Sequence, residues 1–416
     1  MSVRPARARR CKTWAATLAC CILAGAVGLM CRRAAVHPLL ASLPGGAAPA
    51  AAECELEGTA YDCSSLFDWR WYVEHHADLA GLTAAQALEH WAVHGAAEGR
   101  RSHRGPAVLK LVVMTKNEVM LRSWVLYHAH VFGAENLYII DGSTDADAVA
   151  FLAQAECQLG VHVFRSAANL NELEALMTAL LRSLTLAADY LIKVDTDEFL
   201  AVAPPVDASG VRSGPLRVGA AVREHLDSLQ AGGAAMLRTR LRQEGSPPQQ
   251  CPADPALSTD FAPLTADSRP KILFVAHHFA SVGLGGHAGR SRGGSDSIPA
   301  IVDTDLALLE FRYDCYDRWT ANNRKAVFSH GYVLEGDSDA VMQEKLTPKQ
   351  SNDTISHHKV QGYLAHLVDP AASWRAYYAR FDGVQQVRFH DLAMQLQFLH
   401  RAFDAQAAAM RCRRPP

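Results

Sequence analysis

The chain has 416 residues, of which 49% are hydrophobic and 20% are charged, and its formal net charge is −2. This composition excludes a disordered polymer and predicts a globular protein of two or three domains. The nearly neutral charge gives no support to binding of a polyanion, so we expect no nucleic-acid partner.

The first residues have the pattern of a membrane-targeting segment. Residues 1–12 carry five basic residues and no acid, and residues 13–31 carry no charge. As a helix, residues 13–31 would span about 28 Å, close to the thickness of a bilayer core. The pattern predicts a cytoplasmic tail and a single-pass, type II transmembrane anchor, with a cleaved signal peptide as the alternative. In both cases the remaining chain would be lumenal, in the Golgi or another secretory membrane.

Residues 32–55, rich in alanine and proline, predict a flexible stem. Asn352-Asp353-Thr354 is an N-glycosylation sequon, which suits a secretory compartment. An even number of cysteines follows the anchor, as expected in an oxidising lumen, and the sequence leaves their pairing open. These cysteines are Cys54, Cys63, Cys157, Cys251, Cys315 and Cys412.

Residues 56–104 predict a small helical module. Aromatic residues from Phe67 to Trp91 recur at helical spacing, and Gly81 and Gly95 are placed as helix stops. The module also contains a group of histidines, which we assign to its core or surface rather than to a metal.

Residues 107–330 predict an α/β domain. Apolar, strand-like runs at 108–114, 137–140 and 161–164 alternate with amphipathic helices. This alternation specifies a mostly parallel, Rossmann-like sheet with right-handed crossovers. Later runs near 235–238, 271–275 and 306–313 predict further strands, and residues 331–416 predict a helical C-terminal extension.

The most informative stretch is residues 190–200, YLIKVDTDEFL. A buried strand ends on Asp195 and Asp197, followed by Glu198, and ligands of open α/β sheets bind at the carboxyl ends of strands. On an extended segment, Asp195 and Asp197 would point the same way and offer two hard oxygen ligands to Mg²⁺ or Mn²⁺. An Asp pair in a solvated turn is the alternative interpretation.

Three segments together resemble a known family: residues 112–118 (VVMTKNE), 141–145 (DGSTD) and 195–199 (DTDEF). Over roughly residues 108–325 the chain is similar to the family 2-like and family 92-like glycosyltransferases. The resemblance implies a GT-A fold, a UDP-hexose donor and a divalent Mn²⁺ or Mg²⁺. It also implies transfer of a hexose, a galactose in the branch that it resembles most, to a glycan or glycoprotein acceptor.

In that frame, several polar residues are expected to bind the nucleotide. Thr115, Asn117 and Glu118 form the first strand-to-helix turn, where the base and ribose would lie, and Asp141 and Asp145 follow the next strand. The alternatives are that Asn117 and Glu118 cap a helix, and that Asp141 and Asp145 belong to an ordinary Asp-Gly turn.

The glycine-rich loop of residues 282–290 is the second place where the resemblance assigns roles. It implies that His287 is a further metal ligand and that Arg290 or Lys271 contacts the donor diphosphate. A glycine-rich surface loop is the alternative. Inverting transfer needs a carboxylate to deprotonate the acceptor; we assign this base to Asp296, with Asp303 and Asp305 as other candidates.

Two other functions compete with glycosyl transfer. Asp195 could be the nucleophile of a phosphatase or phosphotransferase, because such enzymes also place a DxD at a strand end. The same fold could instead bind glycans without catalysis.

Overall fold

The computed structural model describes residues 53–56, 59–62, 67–95, 100, 105–207, 212, 214–229, 234–292, 301–351 and 356–409. The predicted cytoplasmic tail, the anchor, Asp296 and the sequon at Asn352 lie outside these residues, so each stays a prediction. Within the described part of the chain, no helix is both long and apolar enough to cross a membrane.

The strands, numbered along the chain, are β1 (Glu53–Leu56), β2 (Thr59–Asp62), β3 (Leu109–Thr115), β4 (Leu137–Asp141), β5 (His162–Arg165), β6 (Tyr190–Lys193), β7 (Glu198–Val202), β8 (Met236–Arg238), β9 (Leu241–Glu244), β10 (Asp260–Phe261), β11 (Thr265–Ala266), β12 (Ile272–Val275), β13 (Phe279–Val282), β14 (Gly289–Ser291), β15 (Val302–Asp303), β16 (Leu306–Glu310) and β17 (Val387–Arg388). The helices are α1 (Trp69–His75), α2 (Ala84–His90), α3 (Leu121–Phe132), α4 (Ala146–Leu159), α5 (Leu170–Ser183), α6 (Ala220–Ser228), α7 (Tyr316–Ser329), α8 (Asp339–Leu346), α9 (His357–Val368), α10 (Pro370–Ala379) and α11 (Asp391–Ala409).

The central sheet confirms the predicted α/β class. Its strand order is β15-β8-β12-β6-β3-β4-β5. Strands β6, β3, β4 and β5 run parallel, whereas β12 is antiparallel to both of its neighbours. Strand β3 is buried on both faces: Leu111 and Val113 belong to one apolar cluster, and Val112 belongs to the cluster on the other face. Apolar side chains alternate between the two faces because successive residues of a strand point in opposite directions.

A second sheet, in the order β11-β9-β16-β7, lies next to the acidic stretch. The expectation of an extended segment through Asp195 and Asp197 is wrong. Strand β6 ends at Lys193, residues 194–197 form a turn, and β7 pairs antiparallel with β16 in the second sheet. The Glu198 N–H donates to the Asp195 carbonyl at 3.1 Å and closes this turn. The chain turns here because it leaves one sheet and enters another.

The small module has its own apolar core, built from Phe67, Tyr72, Leu79, Ala87 and Trp91. Its two helices are α1 and α2, and β2 precedes them in the chain. Thr83 and Gln86 form a capping box at the start of α2, which explains where that helix begins.

The C-terminal region is helical, as predicted. Helices α7, α8 and α9 share an apolar cluster that includes Val327, Leu346 and Val360. Helix α11 instead adds Leu392, Leu396 and Phe403 to the core of the central sheet. A disulfide joins Cys251 to Cys315 at the start of α7, and so ties the helical region to the insertion before β10.

Candidate active site at the carboxyl edge of the central sheet

The carboxyl ends of three parallel strands bring the predicted nucleotide loops and the acidic turn to one edge. Thr115 and Asp141, the last residues of β3 and β4, are register partners, and Lys193, the last residue of β6, pairs with Val112 of β3. The Gly142 N–H donates to the Thr115 carbonyl at 2.9 Å. The Thr115 hydroxyl is buried and has no hydrogen-bond partner among the described residues. This edge is where an open α/β sheet offers a ligand site.

Asn117 joins the two nucleotide loops. Its Oδ1 accepts hydrogen bonds from the backbone N–H groups of Thr144 (2.8 Å) and Asp145 (2.9 Å), and its Nδ2 donates to the Thr144 hydroxyl. Its φ of 53° is in the left-handed region, which asparagine tolerates better than most residues. Helix α3 begins only at Leu121, so neither Asn117 nor Glu118 caps it. Asn117 therefore fixes the relative position of the two loops.

Asp141 and Asp145 both make structural hydrogen bonds. One Asp141 oxygen accepts from the Ser143 N–H at 2.9 Å and the other pairs with Arg165, and the side chain is fully buried. Asp145 caps α4 by accepting from the N–H groups of Asp147 and Ala148. Because this carboxylate is fully buried and both of its oxygens have protein partners, Asp141 does not face a ribose in this conformation.

Asp195 is held by two buried lysines. Its Oδ1 accepts from the Lys193 ammonium and its Oδ2 accepts from the Lys271 ammonium at 2.6 Å. Lys193 and Lys271 are 1% and 0% exposed, whereas Asp195 is 40% exposed. Burial opposes ionisation of Asp195, but the two ammonium groups outweigh it and lower the pKa of the carboxyl group.

Lys271 has further partners that fix it in place. Its ammonium lies 2.8 Å from Glu198 Oε2 and donates to the Gly285 carbonyl at 2.6 Å. Glu198 Oε2 also accepts from the Asp195 N–H at 2.7 Å. Lys271 therefore braces the acidic turn from inside the protein, and its ammonium is already occupied by protein oxygens.

Asp197 differs from Asp195 in the partners of its carboxylate. Its side chain is half-buried, and no described residue forms an ion pair or hydrogen bond with its carboxylate. Its backbone carbonyl accepts from the Phe311 N–H at 2.8 Å, which anchors the turn to the end of β16. Burial, followed by repulsion from Asp195, Glu198 and Glu118, raises the pKa of Asp197 to about 7. Asp197 is thus the carboxylate of the pair that can meet a ligand.

Other charged residues at this cleft were not singled out from the sequence. Glu118 pairs with Lys325 of α7, and burial lowers the pKa of Lys359 in α9 although the charges of Asp197 and Glu118 oppose this shift. Glu310, at the end of β16, accepts from Arg242 at 2.5 Å, and burial raises its pKa to about 9. A sequence signal existed for Lys193 and Glu310, because each is a charge within or at the end of an apolar strand.

The structure does not gather the predicted metal ligands into one site. Among the described residues, no group of three or more His, Cys, Asp or Glu side chains is arranged to hold a metal ion. Asp195 is occupied by two ammonium groups, and the Nδ1 of His287 lies 3.3 Å from the Pro270 carbonyl. Burial, and then the charge of Lys271, lower the pKa of His287 to about 4. Asp197 is the predicted ligand whose carboxylate has no protein partner.

The other predicted residues lie apart from this cleft or have partners of their own. Arg290, on β14, is exposed. Asp303, on the edge strand β15, pairs with Arg238 on the neighbouring strand β8. Asp305 pairs with Arg212. These ion pairs leave Asp303 and Asp305 poorly suited to accept a proton from an acceptor hydroxyl.

No protein-family model matches the chain, and no curated protein sequence matches it either. Among solved structures, it is similar to S. aureus TarS 1–349 at 10% identity and a TM-score of 0.29, over 72% of this chain and 80% of that chain. A second structure of S. aureus TarS gives 12% identity and a TM-score of 0.28, over 72% of this chain and 54% of that one. Scores this low carry no argument, so the fold and the site themselves define the class: an α/β protein with a lysine-braced acidic cleft at the carboxyl edge of its sheet.

Proposed function

We propose that the chain is a glycosyltransferase that moves a hexose, with galactose as the first candidate, from a UDP-sugar to a hydroxyl group of a glycan or glycoprotein acceptor. The observation that carries this proposal is the free carboxylate of Asp197 at the carboxyl edge of three parallel strands. The adjoining loops of Thr115–Glu118 and Asp141–Asp145 lie where nucleotides bind in open α/β sheets, outside the carboxyl ends of the strands. The motifs that resemble the glycosyltransferase family fall on this same edge.

In the proposed reaction, the acceptor oxygen attacks the anomeric carbon while the bond from that carbon to the diphosphate breaks. The nucleoside would lie against the loops joined by Asn117, and the unpartnered hydroxyl of Thr115 is available to it. Lys325, whose ammonium pairs with Glu118 of the first nucleotide loop, would stabilise the charge on the departing diphosphate. Asp296 is retained as the proposed base for the acceptor proton.

Asp197 would hold Mg²⁺ or Mn²⁺ if the reaction uses one. Such a cation takes one or two protein carboxylates and completes its shell with water and phosphate oxygens, so a single free carboxylate fits it. It would neutralise charge on the diphosphate. Asp195 has a different role here, because Lys193 and Lys271 occupy both of its oxygens.

The same contacts argue against a phosphotransferase. Asp195 would be the nucleophile in such an enzyme, yet each of its oxygens is bound by the ammonium group of a buried lysine, which lowers its nucleophilicity. A glycan-binding protein without activity is the remaining alternative, and turnover of the donor separates it from an enzyme.

The test is release of UDP from a panel of UDP-hexoses by the purified full chain, with Mn²⁺ or with a chelator. We expect Asp197→Asn to lower turnover on the order of a thousandfold, as for the loss of a group that stabilises the leaving diphosphate. Asp339→Asn, an exposed carboxylate in the first turn of α8, is the matched control and should retain wild-type turnover. Undiminished turnover by Asp197→Asn, or cleavage of a simple phosphoester in place of UDP-sugars, would overturn the proposal.

A further inference from the structure

A cavity of about 390 Å³ lies between the C-terminal helices. It is lined by residues from the end of β16 and from α7, α9 and α10, and none of them belongs to the central sheet or to the nucleotide loops. Its volume falls in the range of about 300–1,000 Å³ that is typical of small-molecule sites. The cavity is therefore a candidate site separate from that of the donor.

The charge of this cavity is one-sided. Arg312, Lys359 and Arg380 line it, and no lining residue is acidic. Among the residues that the structure describes, none of these three cations forms an ion pair with a carboxylate. Unpaired arginine and lysine side chains that converge on a cavity are suited to a phosphate, sulfate or carboxylate group.

The cavity also has features that suit a sugar. Trp319 and Tyr313 contribute aromatic surface, and the Arg380 guanidinium lies 5.5 Å from the centre of the Trp319 ring. Asn323 lines the same space, is 1% exposed, and has no hydrogen-bond partner for either its amide nitrogen or its amide oxygen. Buried polar groups in native proteins are normally satisfied, so this amide is available to a ligand that both donates and accepts, as a hydroxyl does.

Helix α7 connects the cavity to the cleft. Its Trp319 and Asn323 line the cavity, and Lys325 of the same helix pairs with Glu118 of the first nucleotide loop. The cavity and the proposed donor site are therefore joined by one helix.

We propose that this cavity binds an acceptor saccharide that carries an anionic group, with the charge held by Arg312 and Arg380 and a hydroxyl held by Asn323. This inference rests on the proposed function, because it names the acceptor class of that same reaction. A bound nucleotide is the competing occupant, and the experiment separates the two.

The experiment measures binding to the purified full chain by calorimetry, with glucose 6-phosphate, glucose, inorganic phosphate and UDP as probes. We expect glucose 6-phosphate to bind at least about tenfold more tightly than either glucose or inorganic phosphate. Arg380→Gln should weaken the binding of glucose 6-phosphate about tenfold, the usual effect of losing one charge-assisted hydrogen bond. It should leave the binding of UDP unchanged. Arg375, on α10, is exposed and does not line the cavity, so Arg375→Gln is the control and should change the binding of neither glucose 6-phosphate nor UDP.

A second variant tests the space itself. A Cβ at Gly362 would lie 2.5 Å from Asn323 Nδ2 and 2.7 Å from Trp319 Cη2. Gly362→Ala should therefore narrow the cavity and weaken the binding of glucose 6-phosphate, without changing the binding of UDP. Thermal melts establish that each variant is folded.

The outcomes distinguish this inference from the proposed function. The inference is overturned if glucose or phosphate alone binds as tightly as glucose 6-phosphate. It is also overturned if Arg380→Gln weakens the binding of UDP and not that of glucose 6-phosphate. If sugar phosphate binds through Arg380 but no UDP-hexose is ever turned over, the proposed enzyme activity fails and the saccharide site stands. If UDP-hexose is turned over without selective binding of the sugar phosphate, the inference alone fails.

Discussion

The contacts of Asp195 and Asp197 predict that the two aspartates respond differently to substitution. Asp195→Ala removes the partner of Lys193, which is 1% exposed, and one partner of Lys271, which is 0% exposed. Removing one member of a buried ion pair costs about 3–5 kcal/mol, and the 40% exposure of Asp195 places its loss nearer about 2–3 kcal/mol. Asp197→Ala breaks no contact with a described residue and relieves repulsion, so its stability should stay within about 0.5 kcal/mol of the wild type or rise.

The assay is thermal unfolding of both variants without ligand, near pH 7.5. For a chain of this size the loss at Asp195 corresponds to a fall in Tm of roughly 2–4 °C. Lys193→Met in the Asp195→Ala background should recover part of the loss, because it removes the ammonium left without a partner. If Asp195→Ala melts together with Asp197→Ala, the two lysines do not hold Asp195 and the reasoning is refuted. If both carboxylates pointed toward a metal, as an extended segment would place them, both substitutions would leave the fold intact.

Two further predictions concern stability. Burial lowers the pKa of His128 from 6.5 to about 3. Below pH 6.5 the unfolded chain takes up a proton that the folded protein does not, so the folded protein loses up to about 1.4 kcal/mol of stability per pH unit. His128→Gln should therefore reduce the fall in denaturation midpoint between pH 7 and pH 5, and a fall as steep as that of the wild type would contradict this. Gly286→Ala should cost about 1–3 kcal/mol in urea denaturation, because its φ is +72° and a Cβ would lie 2.7 Å from the Lys193 carbonyl. Gly283→Ala in the same loop, whose Cβ would meet only an ordinary contact at 3.5 Å, is the control, and equal losses for both would show that the close approach is absent.

The central strands could be predicted because a strand buried on both faces reads as an apolar run. Residues 108–114 and 137–140 were predicted as strands, and the structure places β3 and β4 there within one or two residues. The turn after β6 was missed because Phe199 and Leu200 continue the apolar pattern. Both residues are buried, but in a second sheet, and apolar pattern does not identify the sheet to which a strand belongs.

The partners of Asp195 could not be predicted from local sequence. Lys271 is 76 residues from Asp195, and only the antiparallel pairing of β12 with β6 brings them together. Periodicity reports which face of an element is buried, and it contains no information about such distant pairs. The cavity was missed for the same reason, because it is the space left between helices that each look ordinary in the sequence.

The division of roles between the two aspartates changes how loss of activity should be interpreted. Asp195 contributes its charge to the protein interior, where Lys193 and Lys271 each need an anionic partner, whereas Asp197 keeps its carboxylate for the cleft. A substitution at either position could abolish turnover, at Asp195 by disturbing the turn that carries Asp197 and at Asp197 by removing the group that meets the ligand. Activity alone therefore cannot assign chemistry to the motif. An Asp197 variant that is inactive and keeps the Tm of the wild type can assign a chemical role, because its loss of activity does not come from a loss of stability.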